Sequence, residues 1–170
     1  MDSGLQRLNS LPRSEAESEF GKCCGSTTWA QRMASERPFD NPDHLITFAD
    51  RVWWSLLPSD WLEAFASHPK IGERSAARKV AAEAQHWAAQ EQAGVRNAAE
   101  ETTRLLAELN QEYEEKFGYI FIVCATGKSS EEMLAILQDR LPNDPETEIR
   151  IAAREQSRIT KLRLGKLLDQ

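Results

Sequence analysis

Helix signals dominate the pattern of apolar and polar positions along the chain, and convincing strand signals are nearly absent. Ser14-Glu15-Ala16-Glu17 has the form of a capping box, in which hydroxyl and carboxylate each satisfy a free backbone N–H at a helix start. It predicts a helix over 14–24, stopped by Gly25. Ser26 or Thr27 opens a second helix to about Glu36, closed by Pro38. Asn41-Pro42 supplies a cap followed by proline at the first helical position, for a third helix reaching Leu57. Pro58-Ser59-Asp60 then restarts the chain into a short helix through Phe65 and Ala66, and His68-Pro69 ends it because a residue before proline is pushed out of the helical region.

Further helices are predicted over 76–93, 97–117, 129–141 and 146–168. Gly118 takes the usual place of a left-handed cap, Ser129-Ser130-Glu131-Glu132 supplies another capping box, and Pro142-Asn143-Asp144-Pro145 breaks the chain before the last helix. The β-branched run from Tyr119 to Ala125 has no partner strand, so it reads as an extended buried connector whose backbone N–H and C=O groups a small polar ligand could meet. The fold class expected is all-α: a single-domain bundle of seven to eight helices with one extended connector, spanning 1–170.

Polar residues on apolar faces carry the chemical information, because a buried charge must be paired or put to use. Val80, Ala84, Trp87, Ala88 and Val95 follow helical steps, and Glu91 falls on the same line. A helix tilted so that Glu91 reaches solvent fits equally. In the last helix Ile149, Ala152, Ile159, Leu162 and Leu167 cluster on one side, and Arg163 projects between Ile159 and Leu167. Its guanidinium there needs a carboxylate or an anionic ligand, unless its stem lies on apolar surface and its head reaches water. His68, held at a forced helix stop, can exchange a proton near neutrality or can cap the last carbonyls of its helix. His44 and His86 sit mid-helix among surface-type neighbours.

Composition narrows the classes. With 170 residues, 41% hydrophobic and 28% charged, the chain lies in the globular range and is long enough for one core without disulfide or metal. A formal charge of −6 argues against nucleic acid, and the longest apolar run, Tyr119 to Ala125, is too short to span a membrane. The start Met-Asp-Ser-Gly lacks a signal-peptide pattern, and the three cysteines, with Cys23 and Cys24 adjacent, fit reduced thiols that pack. A cytoplasmic protein is expected. No His or Cys pair has metal-ligand spacing, so no metal is expected. Gly127-Lys128-Ser129 ends like a phosphate-binding loop, but the glycine required five positions earlier is Ile122, and no nucleotide site follows.

Several strings then occur in a joint order: Cys23-Cys24-Gly25-Ser26, Trp29, Met33, Arg37-Pro38-Phe39, His68-Pro69-Lys70-Ile71-Gly72, Glu91-Gln92-Ala93-Gly94, Leu109-Asn110 with Tyr113, Phe117-Gly118, Phe121-Ile122-Val123-Cys124-Ala125 and Leu162-Arg163-Leu164. Together they resemble the 2-oxo-4-hydroxy-4-carboxy-5-ureidoimidazoline (OHCU) decarboxylases over nearly the whole chain. The resemblance implies an all-helical, usually homodimeric carboxy-lyase without a cofactor, acting on a small-molecule ureidoimidazoline carboxylate at the last step from urate to (S)-allantoin. By the same resemblance His68 is the catalytic histidine, with Glu91 also catalytic. Pro69, Ala88, Glu91, Gln92, the main-chain segment Phe121, Ile122, Val123, Cys124 and Ala125, and Arg163 bind substrate. Ala88 departs from members with a serine there, so any hydroxyl contact at that point is lost. Two other classes remain: decarboxylation or hydrolysis of another ureido acid, and a non-enzymatic helical interaction module.

Overall fold

The computed structural model describes residues 3–69, 82–91 and 100–170. Among them are nine helices and no strand: α1 (Ser3–Ser10), α2 (Arg13–Cys23), α3 (Thr27–Glu36), α4 (Pro42–Ser55), α5 (Pro58–Ala66), α6 (Ala82–Glu91), α7 (Glu100–Phe117), α8 (Ser130–Arg140) and α9 (Pro145–Leu168). The all-α class is as the sequence predicts. The count exceeds seven to eight because α1 forms where no capping pattern announced it; Leu5 and Leu8 are buried, so packing rather than a cap stabilises it.

Helix starts follow side-chain chemistry closely, with one correction. Ser26 Oγ accepts from Trp29 N–H at 3.2 Å, Asn41 Oδ1 from His44 N–H at 2.8 Å, and Ser129 Oγ from Glu132 N–H at 3.1 Å. The capping box at Ser14 does not form. The chain turns helical one residue earlier, with Pro12 at the cap position and no side-chain cap bond, and Arg13 pairs with Glu17 at 2.9 Å. The same helix ends at Cys23, where Cys24 turns extended before Gly25 is reached. Residues 76–81, 92–93 and 97–99 of the predicted helices lie outside the described residues.

Two compact units divide the chain: residues 1–64 with 157–170, and residues 65–156. In the first, α2 packs on α3 and α3 on α4. Trp29 and Phe20 meet edge to face at 6.0 Å and Phe20 meets Phe39 at 6.3 Å, each ring contributing roughly 2–3 kcal/mol by burial. The indole N–H of Trp29 donates to the Ala49 carbonyl at 3.1 Å, and Arg37 donates to the carbonyls of Leu8, Leu11 and Ala34. A Cβ on Gly4 would lie 1.8 Å from the Leu168 carbonyl oxygen, so only glycine lets the chain approach so closely there.

In the second unit α7 packs on α8. Leu106, Tyr113, Phe121, Val123, Ala125, Met133 and Leu137 form its core. Gly118 takes φ +83° after α7, as its left-handed cap position requires. The following residues, 120–125, are buried and belong to neither helix nor strand, as expected for a connector. Among the described residues no helix is long and apolar enough to cross a membrane.

Candidate active site

His68 sits where the sequence stops α5. Its N–H donates to the Phe65 carbonyl at 3.2 Å, Pro69 follows, and the imidazole is only 7% exposed. Nε2 lies 2.6 Å from Oε1 of Gln156, which is fully buried in α9. An amide oxygen only accepts, so the ring nitrogen donates.

Helix α6 carries Trp87 and Ala88 buried and Glu91 half-buried at its last position. The predicted apolar line is thus confirmed at Trp87 and Ala88; Val80 and Val95 lie outside the described residues, as does the binding candidate Gln92. The Ala88 methyl offers no hydrogen bond where a serine hydroxyl would.

Phe121, Ile122, Val123, Cys124 and Ala125 are all buried. A charged cluster holds them. Arg140 donates from Nη1 to the Ile122 carbonyl at 2.6 Å and lies 4.7 Å from the centre of the Phe121 ring. Its Nε donates to Glu148 at 2.7 Å, and Glu148 also accepts from the Tyr113 hydroxyl at 2.5 Å and from Asn143 at 3.0 Å. Burial pushes the Tyr113 phenol well up, so it stays a donor to that carboxylate. Lys128 covers the Cys124 carbonyl with Nζ at 2.7 Å and the Ala125 carbonyl with its backbone N–H at 3.0 Å. Three carbonyls of the segment are therefore occupied. Among the described residues, its backbone N–H groups have no backbone or side-chain acceptor.

Cys124 is raised by burial, relieved by the charge of Lys128 and raised further by Glu155 and Glu91. His68, Pro69, Ala88, Glu91 and the connector all belong to the second unit. Arg163 belongs to the first, 5% exposed in the later half of α9, so the guanidinium does not snorkel to water. Its positive charge acts on both adjacent cysteines. Burial lifts the Cys23 thiol strongly and Cys24 to about 11, with backbone and Thr160 hydrogen bonds and then Arg163 pulling Cys24 back. Both are buried packing thiols, as predicted. The apolar line drawn through α9 needs one correction: Leu162 is 42% exposed, because the buried face centres on Gln156, Thr160, Arg163 and Leu167, and Leu162 points away from it.

Sequence reasoning missed Gln156, Arg140, Glu148 and Tyr113 as a supporting set. Gln156 had a usable signal: it precedes Arg163 by seven residues, two helical turns, on the same face of α9. Arg140 and Glu148 meet across a proline-rich turn that leaves no spacing signature. A groove of about 560 Å3 beside Arg13, Arg32, Phe48 and Arg51 lies in the first unit and holds none of the predicted residues. It is a shallow trough between surface side chains of the first unit. Among the described residues no group of three or more His, Cys, Asp or Glu side chains is placed to hold a metal ion.

The chain is similar to several known proteins. The chain is 37% identical over 154 residues to the Uric acid degradation bifunctional protein TTL of Arabidopsis thaliana, covering 90% of this chain and 47% of that relative. It therefore spans about half the length of that protein. A 2-oxo-4-hydroxy-4-carboxy-5-ureidoimidazoline decarboxylase of Haloferax volcanii is 29% identical over 162 residues, covering 95% of this chain and 94% of the relative. A crystal structure of OHCU decarboxylase in the presence of (S)-allantoin superposes with TM-score 0.77 at 36% identity, covering 90% of this chain and 99% of that one. The family model described as OHCU decarboxylase matches residues 9–165, and the chain belongs to that family.

Proposed function

We propose that the chain decarboxylates 2-oxo-4-hydroxy-4-carboxy-5-ureidoimidazoline to (S)-allantoin and carbon dioxide, the final step from urate. The observation that carries the reading is a buried His68, hydrogen-bonded through Nε2, in a chain matched to this family over residues 9–165. The relatives' names and the allantoin-containing structure support the substrate class.

The chemistry requires no separate electron sink. As the bond to the carboxylate breaks, its electron pair enters the ring and the adjacent C=N π pair moves to nitrogen, which takes a proton from solvent. The resulting enol passes its hydroxyl proton to His68, and the neighbouring carbon takes one on a single face. One proton is consumed for each carbon dioxide released. Orientation and charge placement are then the protein's tasks. Glu91 and Gln92 hold the hydroxyl and ureido groups, Pro69 and Ala88 flank the ring, and Arg163 receives the carboxylate or a ring carbonyl. The N–H groups of the segment Phe121–Ala125 fix the ring edge; their lack of acceptors among the described residues supports this role.

The experiment generates the intermediate in situ from urate, adds the protein and follows circular dichroism. Rapid appearance of one allantoin enantiomer is expected, and His68→Asn should reduce the rate on the order of 10²-fold or more. Only the slow racemic route in the presence of the wild-type chain would end this reading. For the assembly we take a single-domain cytoplasmic chain forming a homodimer and binding neither nucleic acid nor membrane. The large apolar side chains exposed around the α4–α5 junction, Trp54, Leu57 and Leu62, support the dimer, and light scattering tests it.

A further inference from the structure

We infer that Lys128 and Arg140 are positioning residues for substrate binding: each holds one peptide group of the segment Phe121–Ala125 by its carbonyl oxygen and so aims at the substrate the N–H at the other end of that peptide, of Ala125 for Lys128 and of Val123 for Arg140. The inference rests on the reading of this segment as the part that binds the ring edge.

The string Gly127-Lys128-Ser129, which fails as a nucleotide loop, has a use in this geometry. The Ala125 carbonyl accepts from the Lys128 backbone N–H at 3.0 Å, closing a tight turn whose third residue is Gly127 at φ +77°. The turn brings the lysine back over the segment, where Nζ donates to the Cys124 carbonyl at 2.7 Å. Ser129 then caps α8 through the Glu132 N–H, so Lys128 is anchored on both sides. Arg140, the last residue of the same helix, donates to the Ile122 carbonyl at 2.6 Å and is itself fixed by Glu148. Two cations at the two ends of one helix thus occupy alternate carbonyls of the segment.

A peptide group is rigid and planar, and in the trans form its C=O and N–H point in opposite directions. The peptide bonds of the segment are trans. Fixing the Ile122 and Cys124 oxygens therefore fixes the directions of the Val123 and Ala125 N–H groups. A charged donor on the oxygen also polarises the amide and makes its N–H a stronger donor. Neither N–H has a protein acceptor among the described residues. Both suit oxygen acceptors along the ring edge, away from the bond that breaks. Such contacts are as strong in the bound substrate as in the transition state, so weakening one raises KM and spares kcat.

The test combines nuclear magnetic resonance and kinetics on the full chain, with (S)-allantoin as the probe ligand. In the ligand-free protein, Lys128→Met should move the Ala125 amide 15N resonance upfield and leave that of Val123 in place, and Lys128→Arg should restore it. Adding (S)-allantoin to the wild type should move the Val123 and Ala125 amide protons downfield by more than those of Ile122 and Cys124. Lys128→Met should raise KM for the ureidoimidazoline and the dissociation constant of (S)-allantoin about five- to twentyfold with kcat within about threefold, while Lys128→Arg keeps most of the affinity. A Lys128→Met enzyme with the wild-type KM overturns the inference, as does allantoin binding that leaves the Val123 and Ala125 amides unmoved. Should Lys128→Met fail to fold, the wild-type allantoin shifts and the affinity of Lys128→Arg decide the matter. A wild-type chain that neither turns over the ureidoimidazoline nor binds (S)-allantoin would remove the functional reading, while the ligand-free Ala125 shift would still decide whether Lys128 holds the peptide.

Discussion

The interiors of the two units solve the problem of buried polar groups differently. In the first, the Trp29 indole meets the Ala49 carbonyl, Arg37 donates to backbone carbonyls, Arg163 is buried near Cys23 and Cys24, and the ion pair of Asp50 with Lys161, at 3.1 Å, lies at the surface. In the second, a full charge pair is enclosed. Arg140 and Glu148 are 7% and 0% exposed at 2.6 Å, tied to Tyr113 and to the Ile122 carbonyl. A buried pair of this kind contributes little net stability compared with apolar packing, because both charges must first be stripped of water. Its geometric effect is greater: it holds an irregular segment that has no ladder to hold it. The contrast separates an interior built to cohere from one built to keep five backbone residues in place.

Substitutions can break or sharpen that contrast. The largest effect is expected for Arg140→Leu, which strands the Glu148 carboxylate and should lower stability to urea by about 3–5 kcal/mol. Replacing both partners, Arg140→Met with Glu148→Leu, should recover most of that stability yet leave turnover impaired through a higher KM. Full activity in the double variant would show that the cluster does not position the connector. Trp29→Phe should cost about 2 kcal/mol, through a stranded Ala49 carbonyl and a small void, and should leave kcat per folded molecule unchanged. A large loss of kcat there would contradict the separation of roles.

The smallest effect is expected at Asp50. Burial pulls its carboxyl up, but hydrogen bonds from Ser157 and Lys161 outweigh it, and the net position is below the ordinary Asp value of 3.8. A depressed carboxyl stabilises the fold above its unfolded value and loses that contribution as pH falls through the folded one. Asp50→Asn should therefore cost less than about 1 kcal/mol at pH 7, since the pair is largely solvated, and the difference should vanish in urea titrations carried down through and below pH 3.8. A gap that persists there would assign Asp50 a packing role instead.

Much of the helical framework was legible because its signals are local. Ser26, Asn41 and Ser129 cap helices as read, and Gly118 stops α7, since each bond spans only a few residues. Ser14 misled for the same reason: a capping box states a possibility, and the turn at Pro12 took precedence. The site was partly legible. Arg163 stood out as a polar group on an apolar face and His68 as an imidazole held at a forced helix stop, and both are buried. Leu162 was misassigned because a face drawn from apolar residues alone overlooks Gln156 and Thr160, which are buried as well.

Spacing along one helix or across one turn is enough to set caps, stops and the faces from which His68, Glu91 and Arg163 project, since those depend on backbone geometry a few residues long. Partners are another matter. The sequence separations of 88 from His68 to Gln156, and of 35 from Tyr113 to Glu148, carry no periodic trace of either contact. Those bonds exist because packing brings distant donors and acceptors into a space without water, where each must find the other. Which nitrogen of His68 is held, and what holds the segment from Phe121 to Ala125, are settled there.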